Sequence, residues 1–541
     1  MLHLCRAHTG GTAPDGTMKR DLRQSFLDDD DSYGRHRAAT LDTIEEGDED
    51  ENSELDIMGD GTSPGSGKEV GTATLVGSTF QMANCAIGAG VLAFPYAFAN
   101  CGLAVGILML VYLIIIVGAT QLVVIKAAAV SGAPSYEDMV RRVLGAGWGK
   151  VLEVVILVYQ LGACVAYLDV VADQGTGIMC AYGASFFGSY CDGNQTLMRA
   201  ILVAVIAFGF CLPFSIPTKI DALARISMIG VLAPIVMSCA IVVLGLLDIS
   251  DRGMAAVVYN LKWVPDSETG LHDVLKSIPI VLFALQSHIV APSVYKEMKP
   301  EIKSVKNASI GMVFAYLMVG SCYMLTGIFG YTQFGNGVDG DLLKTSTVLS
   351  QSKGDVLVAV INGARVFIAL GSLCSFPLNH FPGRSALLNL AVPGKPLESL
   401  PKWAFYLEAT LFVAVCYGLA VAVPQISYVF SIMGATCGTA VMFIFPAMLH
   451  LNLPKYEKRE RHMTGDSFDD VVYADGSLVD VASGRRAQKI DPDEDKTNSK
   501  AKRDTVCRWL FFVIIMGMGC FVVITGTMSA VQDFITNLLD A

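Results

Sequence analysis

The sequence has little charge for its length. Only 16% of its 541 residues are Asp, Glu, Lys or Arg, whereas 53% are hydrophobic. This composition is typical of a polytopic membrane protein and argues against nucleic-acid binding. The net charge of −11 is concentrated in residues 1–76, which hold 17 acidic and 7 basic side chains. We therefore expect 1–76 to be a disordered acidic tail in the cytoplasm.

Motifs of several protein classes are also missing. There is no Walker motif, no HExxH and no nucleophile elbow, which leaves ATP-driven and enzymatic activities without support. The 14 cysteines form no CxxC pair and no zinc-binding spacing, so we expect packing roles for most of them, with no metal centre and no cofactor. Residues 1–20 contain no apolar run, and the first inserting segment is therefore expected at 78–99.

Eleven apolar segments are each long enough for a helix to cross about 30 Å of hydrocarbon. They are 78–99, 102–127, 151–175, 198–214, 226–248, 273–294, 308–332, 355–378, 403–423, 425–449 and 507–530. We thus predict an all-α polytopic membrane protein. Its transporter core of ten spans would occupy 77–449, followed by a polar cytoplasmic loop at 450–506. An eleventh span and an outer C-terminus would occupy 507–541.

The distribution of basic residues indicates the orientation. If the N-terminus is cytoplasmic, the segments outside hold only six: Arg199, Arg252, Lys262, Lys276, Lys344 and Lys353. The positive-inside rule favours this orientation. A glycosylation sequon at Asn194 then falls in an outer loop, and Cys180 and Cys191 nearby are candidates for a disulfide. An unused sequon and two reduced cysteines are the alternative.

The first span carries residues that a simple anchor helix would avoid. Gly88 and Gly90 lie at its centre, with Asn84 one turn before them and Pro95 after them. Glycine and proline weaken helical hydrogen bonding, and backbone exposed inside a membrane needs protein or a water-filled cavity to cover it. A break at Gly88-Ala89-Gly90 would present N–H groups to an anion and carbonyls to a cation. Close helix packing at the glycines is the alternative.

The sixth span is also expected to be interrupted. Pro279 and Pro292 bracket Gln286-Ser287-His288, and three consecutive polar residues cannot all face one side of a helix. A break or a wet cavity would explain them. His288 could titrate in the physiological range, or it could be a hydrogen-bonded structural residue. Because the two interrupted spans are five helices apart, the pattern indicates inverted five-helix repeats with a substrate site between them.

Two other spans contain polar side chains whose burial needs a reason. In the eighth span, Ser372 and Ser375 could supply hydroxyl oxygens to a small cation, or each could bond to its own preceding turn. Arg365 lies near the outer end of the same span. Asp169, in the third span, is its candidate partner on the basis of depth alone.

The chain resembles the amino acid/auxin permease family, which includes sodium-coupled neutral amino acid transporters and vacuolar amino acid transporters. The resemblance covers about residues 75–450 and the last helix. It rests on four stretches: Asn84 to Pro95, Ser135 to Asp138, Phe283 to Glu297, and Phe376 to Arg384.

The resemblance implies a LeuT-like core of two inverted five-helix repeats, with the eleventh helix outside it. It implies a substrate site formed by Gly88, Ala89, Gly90, Phe283, Gln286, Ser287 and His288. Sodium-coupled members place an Asn in the first span and a Thr in the eighth. Asn84 matches the first position, whereas Ser375, at or near the second, is not Thr. The candidate ion ligands are therefore Asn84, Ile87, Ser372 and Ser375, and proton coupling through His288 is the alternative.

These patterns predict a secondary active transporter of amino acids that works by alternating access, with symport of sodium or a proton. We expect it in the plasma membrane or in a vacuolar or lysosomal membrane. The alternative is a non-transporting amino acid sensor that recruits a cytoplasmic partner through its N-terminal tail.

Overall fold

The computed structural model describes residues 71–182, 195–217, 221–259, 261–266, 270–344, 355–393, 400–423, 425–463, 471–472, 478–479 and 493–540. Most of the predicted acidic tail lies outside the described residues. The same holds for Asn194, Cys191 and the side chain of Cys180, so the sequon and disulfide predictions also fall outside them.

Helices make up nearly all of the described chain. In the first half they are α1 (Leu75–Ala86), α2 (Phe94–Cys101), α3 (Leu103–Ser131), α4 (Tyr136–Leu144), α5 (Ala146–Tyr182), α6 (Gln195–Ile206), α7 (Leu212–Ser215) and α8 (Asp221–Arg252). In the second half they are α9 (Met254–Tyr259), α10 (Gly270–Ala284), α11 (Ala291–Glu297), α12 (Val305–Phe334), α13 (Asp355–Ala391), α14 (Lys402–Ala422), α15 (Ile426–Met433), α16 (Phe445–Met463) and α17 (Asp493–Asp540).

Short irregular segments join several of these helices. Tight 3₁₀ turns occupy Ala89–Ala93 and Gly335–Gly337, and wide π turns occupy Ala207–Cys211, Gly434–Gly438 and Ala440–Ile444. Two very short strands, β1 (Val471–Val472) and β2 (Leu478–Val479), pair antiparallel.

The described residues contain nine helices that are long and apolar enough to cross a bilayer. A tenth span results if Leu75–Ala86 and Ala89–Cys101, which meet at an angle of 51°, are counted as one. The predicted sixth span consists of α10 and α11 with non-helical residues 285–290 between them, so neither part is long enough alone. The predicted all-helical membrane fold is confirmed, and the exact number of eleven spans stays a prediction.

Helix α13 continues well beyond the predicted end of the eighth span, to Ala391. The span was expected to end at 378, yet the helix continues through Pro377 and Pro382. Proline is tolerated within membrane helices because neighbouring groups satisfy the freed backbone. The extension places His380 and Arg384 in the buried interior of the bundle.

The two interrupted spans are joined at the end of the bundle where α1 begins. The Ala73 amide donates to the Glu297 carbonyl at 2.8 Å, and the Lys299 amide donates to the Ala73 carbonyl at 3.0 Å. The Gln81 side chain adds a hydrogen bond of 2.8 Å from Nε2 to Glu297 Oε2. The segment before α1 is therefore hydrogen-bonded to the end of α11 and to the residues that follow it.

A buried charge network lies at the opposite end, and it corrects one prediction. Asp169 does not pair with Arg365. Arg199, on α6, donates through Nη2 to Asp169 Oδ1 at 2.6 Å and through Nε to Asp173 Oδ1 at 2.9 Å. Arg365 instead donates to the Leu343 carbonyl at 2.6 Å. Depth in the membrane was a poor guide here because it does not specify which neighbouring helix a side chain faces.

Candidate functional site

The breaks in the two interrupted spans lie against each other. Helix α1 ends at Ala86, and the 3₁₀ turn begins at Ala89. A β-carbon on Gly90 would lie only 2.7 Å from the β-carbon of Ala284, the last residue of α10. The glycines were predicted either to form a binding site or to allow close helix packing, and Gly90 fits both. It permits the close contact with Ala284, and it also lines a cavity between the breaks.

One tyrosine of α12 bridges both breaks. The Tyr323 hydroxyl oxygen lies 2.5 Å from the carbonyl oxygen of Ala86 and 3.1 Å from that of Ala284. These two carbonyls belong to the last residues of α1 and α10, where a helix leaves acceptors without an intrahelical donor. The Tyr323 ring stacks on Phe94 at a centroid distance of 4.2 Å, and its side chain is completely buried. Tyr323 therefore fixes the two helix ends relative to each other.

Two further tyrosines contact the carbonyls of the sixth-span break. The Tyr159 hydroxyl donates to the Phe283 carbonyl at 3.1 Å. The Tyr316 hydroxyl lies 3.5 Å from the Leu285 carbonyl and 3.0 Å from Ser287 Oγ. Sequence reasoning missed these contacts, because a tyrosine in an apolar span carries no signal for the carbonyl that it will reach.

The polar residues of the sixth-span break do not all face the cavity. Ser287 Oγ donates to Gln121 Oε1 on α3 at 2.7 Å. His288 is completely buried, with Nε2 at 3.1 Å from Thr120 Oγ1, also on α3. Gln286 is the member of the triad that lines the cavity. Ser287 and His288 thus connect the break to α3. This agrees with the alternative that His288 is a hydrogen-bonded structural residue.

The cavity between the breaks is lined by side chains and backbone from five spans. Its lining includes five of the predicted substrate residues, namely Gly88, Ala89, Gly90, Phe283 and Gln286. The space open to the centre of a water molecule is about 20 Å³, which is room for about one water. Phe283 closes it by stacking on Phe430 at 4.7 Å and by contacting Tyr159 at 5.3 Å between ring centroids. An amino acid would have to displace these rings.

The candidate ion ligands meet beside α8. A β-carbon on Gly230 would lie 3.1 Å from Ser375 Oγ and 3.3 Å from Asn84 Oδ1. Ser372 and Ser375 line a second small cavity together with the backbone at Gly88. The Ser372 hydroxyl is buried and has no hydrogen-bond partner among the described residues.

Ser375 and Ile87, two of these candidate ligands, also make hydrogen bonds within their own helices. The Ser375 hydroxyl donates to the Gly371 carbonyl at 2.9 Å, which is the bond to its own turn that was the alternative. That bond leaves its oxygen lone pairs able to face a cation. Ile87 is buried directly after the end of α1, where its amide donates to the Ala83 carbonyl at 2.7 Å.

Asn379 lies between the two cavities. Its Nδ2 donates to the Ser375 carbonyl at 3.0 Å and to the Tyr167 hydroxyl at 3.3 Å. The side chains of Asn379 and Tyr167 both line the cavity between the breaks. The expected end of the eighth span at 378 concealed this residue. A longer helix would have placed Asn379 one turn after Ser375, on the same face.

A buried ionic cluster follows on the same helix. His380 Nε2 lies 2.9 Å from Glu408 Oε1 on α14, and Arg384 Nε donates to Glu408 Oε2 at 2.8 Å. Arg384 also donates to the carbonyls of Pro217 and Ser215, which follow and end α7. The cluster therefore ties three helices together.

Comparison with known proteins decides the family. A sequence profile of the family described as "Transmembrane amino acid transporter protein" matches residues 71–473. The chain belongs to this family. This confirms the resemblance that was found in the sequence and the prediction of a transporter that is not an enzyme. It also confirms that the protein is an integral membrane protein.

Individual relatives agree with this family. The chain is 29% identical to the human sodium-coupled neutral amino acid transporter 7 over 406 residues, which cover 74% of this chain and 83% of that protein. It is 27% identical to the human solute carrier family 38 member 8 over 396 residues, 70% of this chain and 84% of the relative.

A solved structure supports the fold. MhsT in complex with L-phenylalanine superposes with a TM-score of 0.55 at 11% identity, over 86% of this chain and all of that one. At this identity the likeness concerns the fold alone, and it confirms the predicted LeuT-like architecture.

Proposed function

We propose that this member of the family carries amino acids across a membrane as a secondary active transporter, by alternating access. One observation supports the proposal above the others: two helices break at the same place, at the contact of Gly90 with Ala284, and both broken ends are held by Tyr323. Broken helices that face each other are how membrane transporters create polar backbone sites at mid-membrane.

The substrate would lie in the cavity between the breaks. The first N–H groups of the 3₁₀ turn at Ala89–Ala93 have no intrahelical partners, so they suit the carboxylate of an amino acid. The rings of Tyr159, Phe283 and Phe430 suit an apolar substrate side chain. The names of the relatives, which include neutral amino acid transporters, agree with such a substrate.

We infer that the coupled ion is sodium. Asn84 and Ser375 bring oxygens together beside Gly230, and Ser372 adds a buried hydroxyl without a partner in the described part of the chain. Oxygen ligands of this kind suit a small hard cation. His288 supports proton coupling less well, because its ring is enclosed and bonded to Thr120.

Alternating access requires the two ends of the site to open in turn. On the N-terminal side, the bonds of Ala73 with Glu297 and Lys299 would have to separate. On the other side, the network of Arg199 with Asp169 and Asp173 would have to separate or move as a unit. The positive-inside pattern supports a cytoplasmic location for the N-terminal side.

The test is uptake of labelled amino acids by vesicles that contain the purified full-length chain. The vesicles carry a sodium gradient, a pH gradient or neither. We expect uptake that follows the sodium gradient. Uptake that follows only the pH gradient would contradict sodium coupling, and saturable binding without flux across a full amino acid panel would contradict transport and favour the sensor.

A further inference from the structure

A second and much larger cavity lies at the end of the bundle opposite to the start of α1. The space in it that is open to the centre of a water molecule is about 450 Å³, within the range of about 300–1,000 Å³ that is usual for small-molecule sites. Its lining comes from α5, α6, α14 and the loop after α12, and it includes Asp173, Thr176, Arg199, Ala200, Lys344 and Val421. This peripheral cavity therefore has room for a ligand without any rearrangement.

The peripheral cavity is separate from the site between the two breaks. Among the described residues, none of those that line it borders the cavity between the breaks or the smaller cavity beside Ser375. Helix α5 contributes to both regions, with Tyr167 at the cavity between the breaks and Asp173 at the peripheral one. At about 1.5 Å per residue, these positions are about 9 Å apart along the helix. A ligand in the peripheral cavity would leave the transport site open.

The cations of the peripheral cavity have unused hydrogen-bond donors. Arg199 donates to Asp169, to Asp173 and to the Ala420 carbonyl, which uses three of the five N–H groups of a guanidinium. Lys344 Nζ lies 2.8 Å from Asp173 Oδ2, and an ammonium group carries two further donors. Arg199 and Lys344 can therefore bind a carboxylate together.

The opposite charge comes from Asp173. Its side chain is only 3% exposed, yet Oδ2 accepts no well-aligned hydrogen bond in the described part of the chain, although Lys344 is near. The Thr176 hydroxyl oxygen is also buried and has no hydrogen-bond partner among the described residues. Residues three apart lie on the same face of a helix, so one ammonium group of a ligand can donate to both oxygens and satisfy them.

The charges around the peripheral cavity cancel. In the described ranges, three cations and three acids line it or lie directly behind its wall: Arg199, Lys344 and Arg365, and Asp169, Asp173 and Asp341. Arg365 lies behind Gly177, where an added β-carbon would be 2.8 Å from Nη1. A ligand with one sign of charge would leave an uncompensated buried charge, which is unfavourable. A ligand that carries both signs would not.

We propose that the peripheral cavity binds a free α-amino acid in its zwitterionic form, with the carboxylate at Arg199 and Lys344 and the ammonium group at Asp173 and Thr176. Only the two charged groups are recognised, and the volume leaves room for side chains of different sizes. Because Arg199 joins α6 to α5 through Asp173, a ligand that binds both residues opposes the separation of these helices. The proposal does not depend on whether the protein transports its ligand.

Equilibrium binding of tritium-labelled L-alanine to the purified full-length chain tests the proposal. Alanine is the probe because it carries both charged groups and a very small side chain. The Gly90→Leu variant is used, since its cavity between the breaks is filled and bound alanine then reports the peripheral cavity. We expect one equivalent to bind. Propionate and ethylamine, which each carry one of the two charged groups, should displace it at least about tenfold less well than unlabelled alanine does.

Variants of the peripheral cavity locate the bound alanine. Ala200→Trp, added to Gly90→Leu, fills the peripheral cavity and should abolish binding, whereas Lys344→Gln removes one charged donor and should weaken binding about tenfold. The matched controls are Ile201→Trp, at a neighbouring side chain that is 54% exposed, and Lys262→Gln, at an exposed lysine that pairs with Asp266. Both controls should bind alanine as the Gly90→Leu variant does.

Three results would overturn the proposal: no saturable binding of alanine to Gly90→Leu, displacement by propionate as effective as by alanine, or binding that persists after Ala200→Trp. The unaltered chain keeps the test decisive should Gly90→Leu not fold, because Ala200→Trp should remove one bound equivalent there too. An unchanged number of equivalents would exclude the peripheral site and leave the transport proposal intact. Peripheral binding without uptake of any amino acid would contradict transport alone.

Discussion

Gly90 contacts Ala284 so closely that no β-carbon fits between them. An ideal β-carbon on Gly90 would lie 2.7 Å from the β-carbon and 3.2 Å from the α-carbon of Ala284. The last turn of α10 and the 3₁₀ turn at Ala89–Ala93 therefore move together or separate together. The contact also borders the cavity that we assign to the substrate.

The first prediction concerns this contact. Replacement of Gly90 by Ala should reduce the rate of uptake about tenfold, and Gly90→Leu should abolish it, because the added atoms both separate the breaks and fill the cavity. Uptake by vesicles measures the effect. Gly363→Ala is the matched control, since an added β-carbon there meets nothing within 4 Å. Unchanged flux in Gly90→Leu, with normal insertion, would show that the contact is not part of the transport pathway.

The second prediction concerns Tyr323. Tyr323→Phe keeps the ring that stacks on Phe94 but removes the hydroxyl from the carbonyls of Ala86 and Ala284. Buried acceptors without a donor should lower the free energy of unfolding by about 1–3 kcal/mol, and flux should fall as well. Thermal denaturation and uptake measure the two effects. Tyr406→Phe, at a side chain that is 52% exposed, should behave as the unaltered protein, and an identical result for both variants would contradict the bridging role.

How much of this site the sequence predicts depends on the kind of interaction. The two breaks were predicted correctly, because Gly88, Gly90 and the polar triad at 286–288 violate the pattern of a simple membrane helix. Their partners could not be predicted, because Tyr323 is 39 residues from Ala284 and 237 residues from Ala86, and nothing local indicates which backbone oxygen it reaches. Tertiary contacts of this type need the fold.

Two differences between sequence and structure have the same physical cause. Asp169 faces α6 and binds Arg199, whereas depth alone pointed to Arg365. Helix α13 continues through two prolines, although proline usually ends a helix in water. In both cases the neighbouring helices determine the outcome. They set which face of a helix is buried, and they satisfy the backbone groups that a proline leaves without a partner.

The third prediction concerns sodium. Ser375→Ala removes a hydroxyl that, like Asn84 Oδ1, lies beside Gly230. Loss of one oxygen ligand should raise the sodium concentration for half-maximal uptake about tenfold, whereas Ser375→Thr, which keeps the hydroxyl, should change it little. Ser321→Ala is the control, because that exposed hydroxyl only donates to the Leu317 carbonyl at 2.6 Å. An unaltered sodium dependence in Ser375→Ala would remove Ser375 from the ion site.

The fourth prediction concerns pH and the loop after α12. Burial, together with the nearby charge of Asp173, raises the pKa of the Asp341 carboxyl to about 7. In the unfolded chain the pKa of this carboxyl is about 3.9. Between these values the folded protein binds more protons than the unfolded chain, so stability should decrease as the pH rises through this range.

Asp341→Asn should flatten this dependence. The variant keeps the shape of the side chain next to Gln174, whose Nε2 donates to Asp341 Oδ2 at 2.6 Å. The melting temperature of the purified protein, measured from about pH 4 to about pH 7, is the readout. Asp266→Asn, at an exposed carboxylate, serves as the control. A slope in Asp341→Asn that is as steep as in the unaltered protein would assign the pH dependence to another group.

The central claim is that the two facing breaks form the transport site, and one measurement tests it most directly. Vesicles that contain either the unaltered chain or Gly90→Leu are given an inward sodium gradient and a panel of labelled neutral amino acids. The account predicts gradient-dependent uptake of at least one amino acid by the unaltered chain and none by Gly90→Leu. Equal uptake by both proteins, or no gradient-dependent uptake by the unaltered chain, would contradict it.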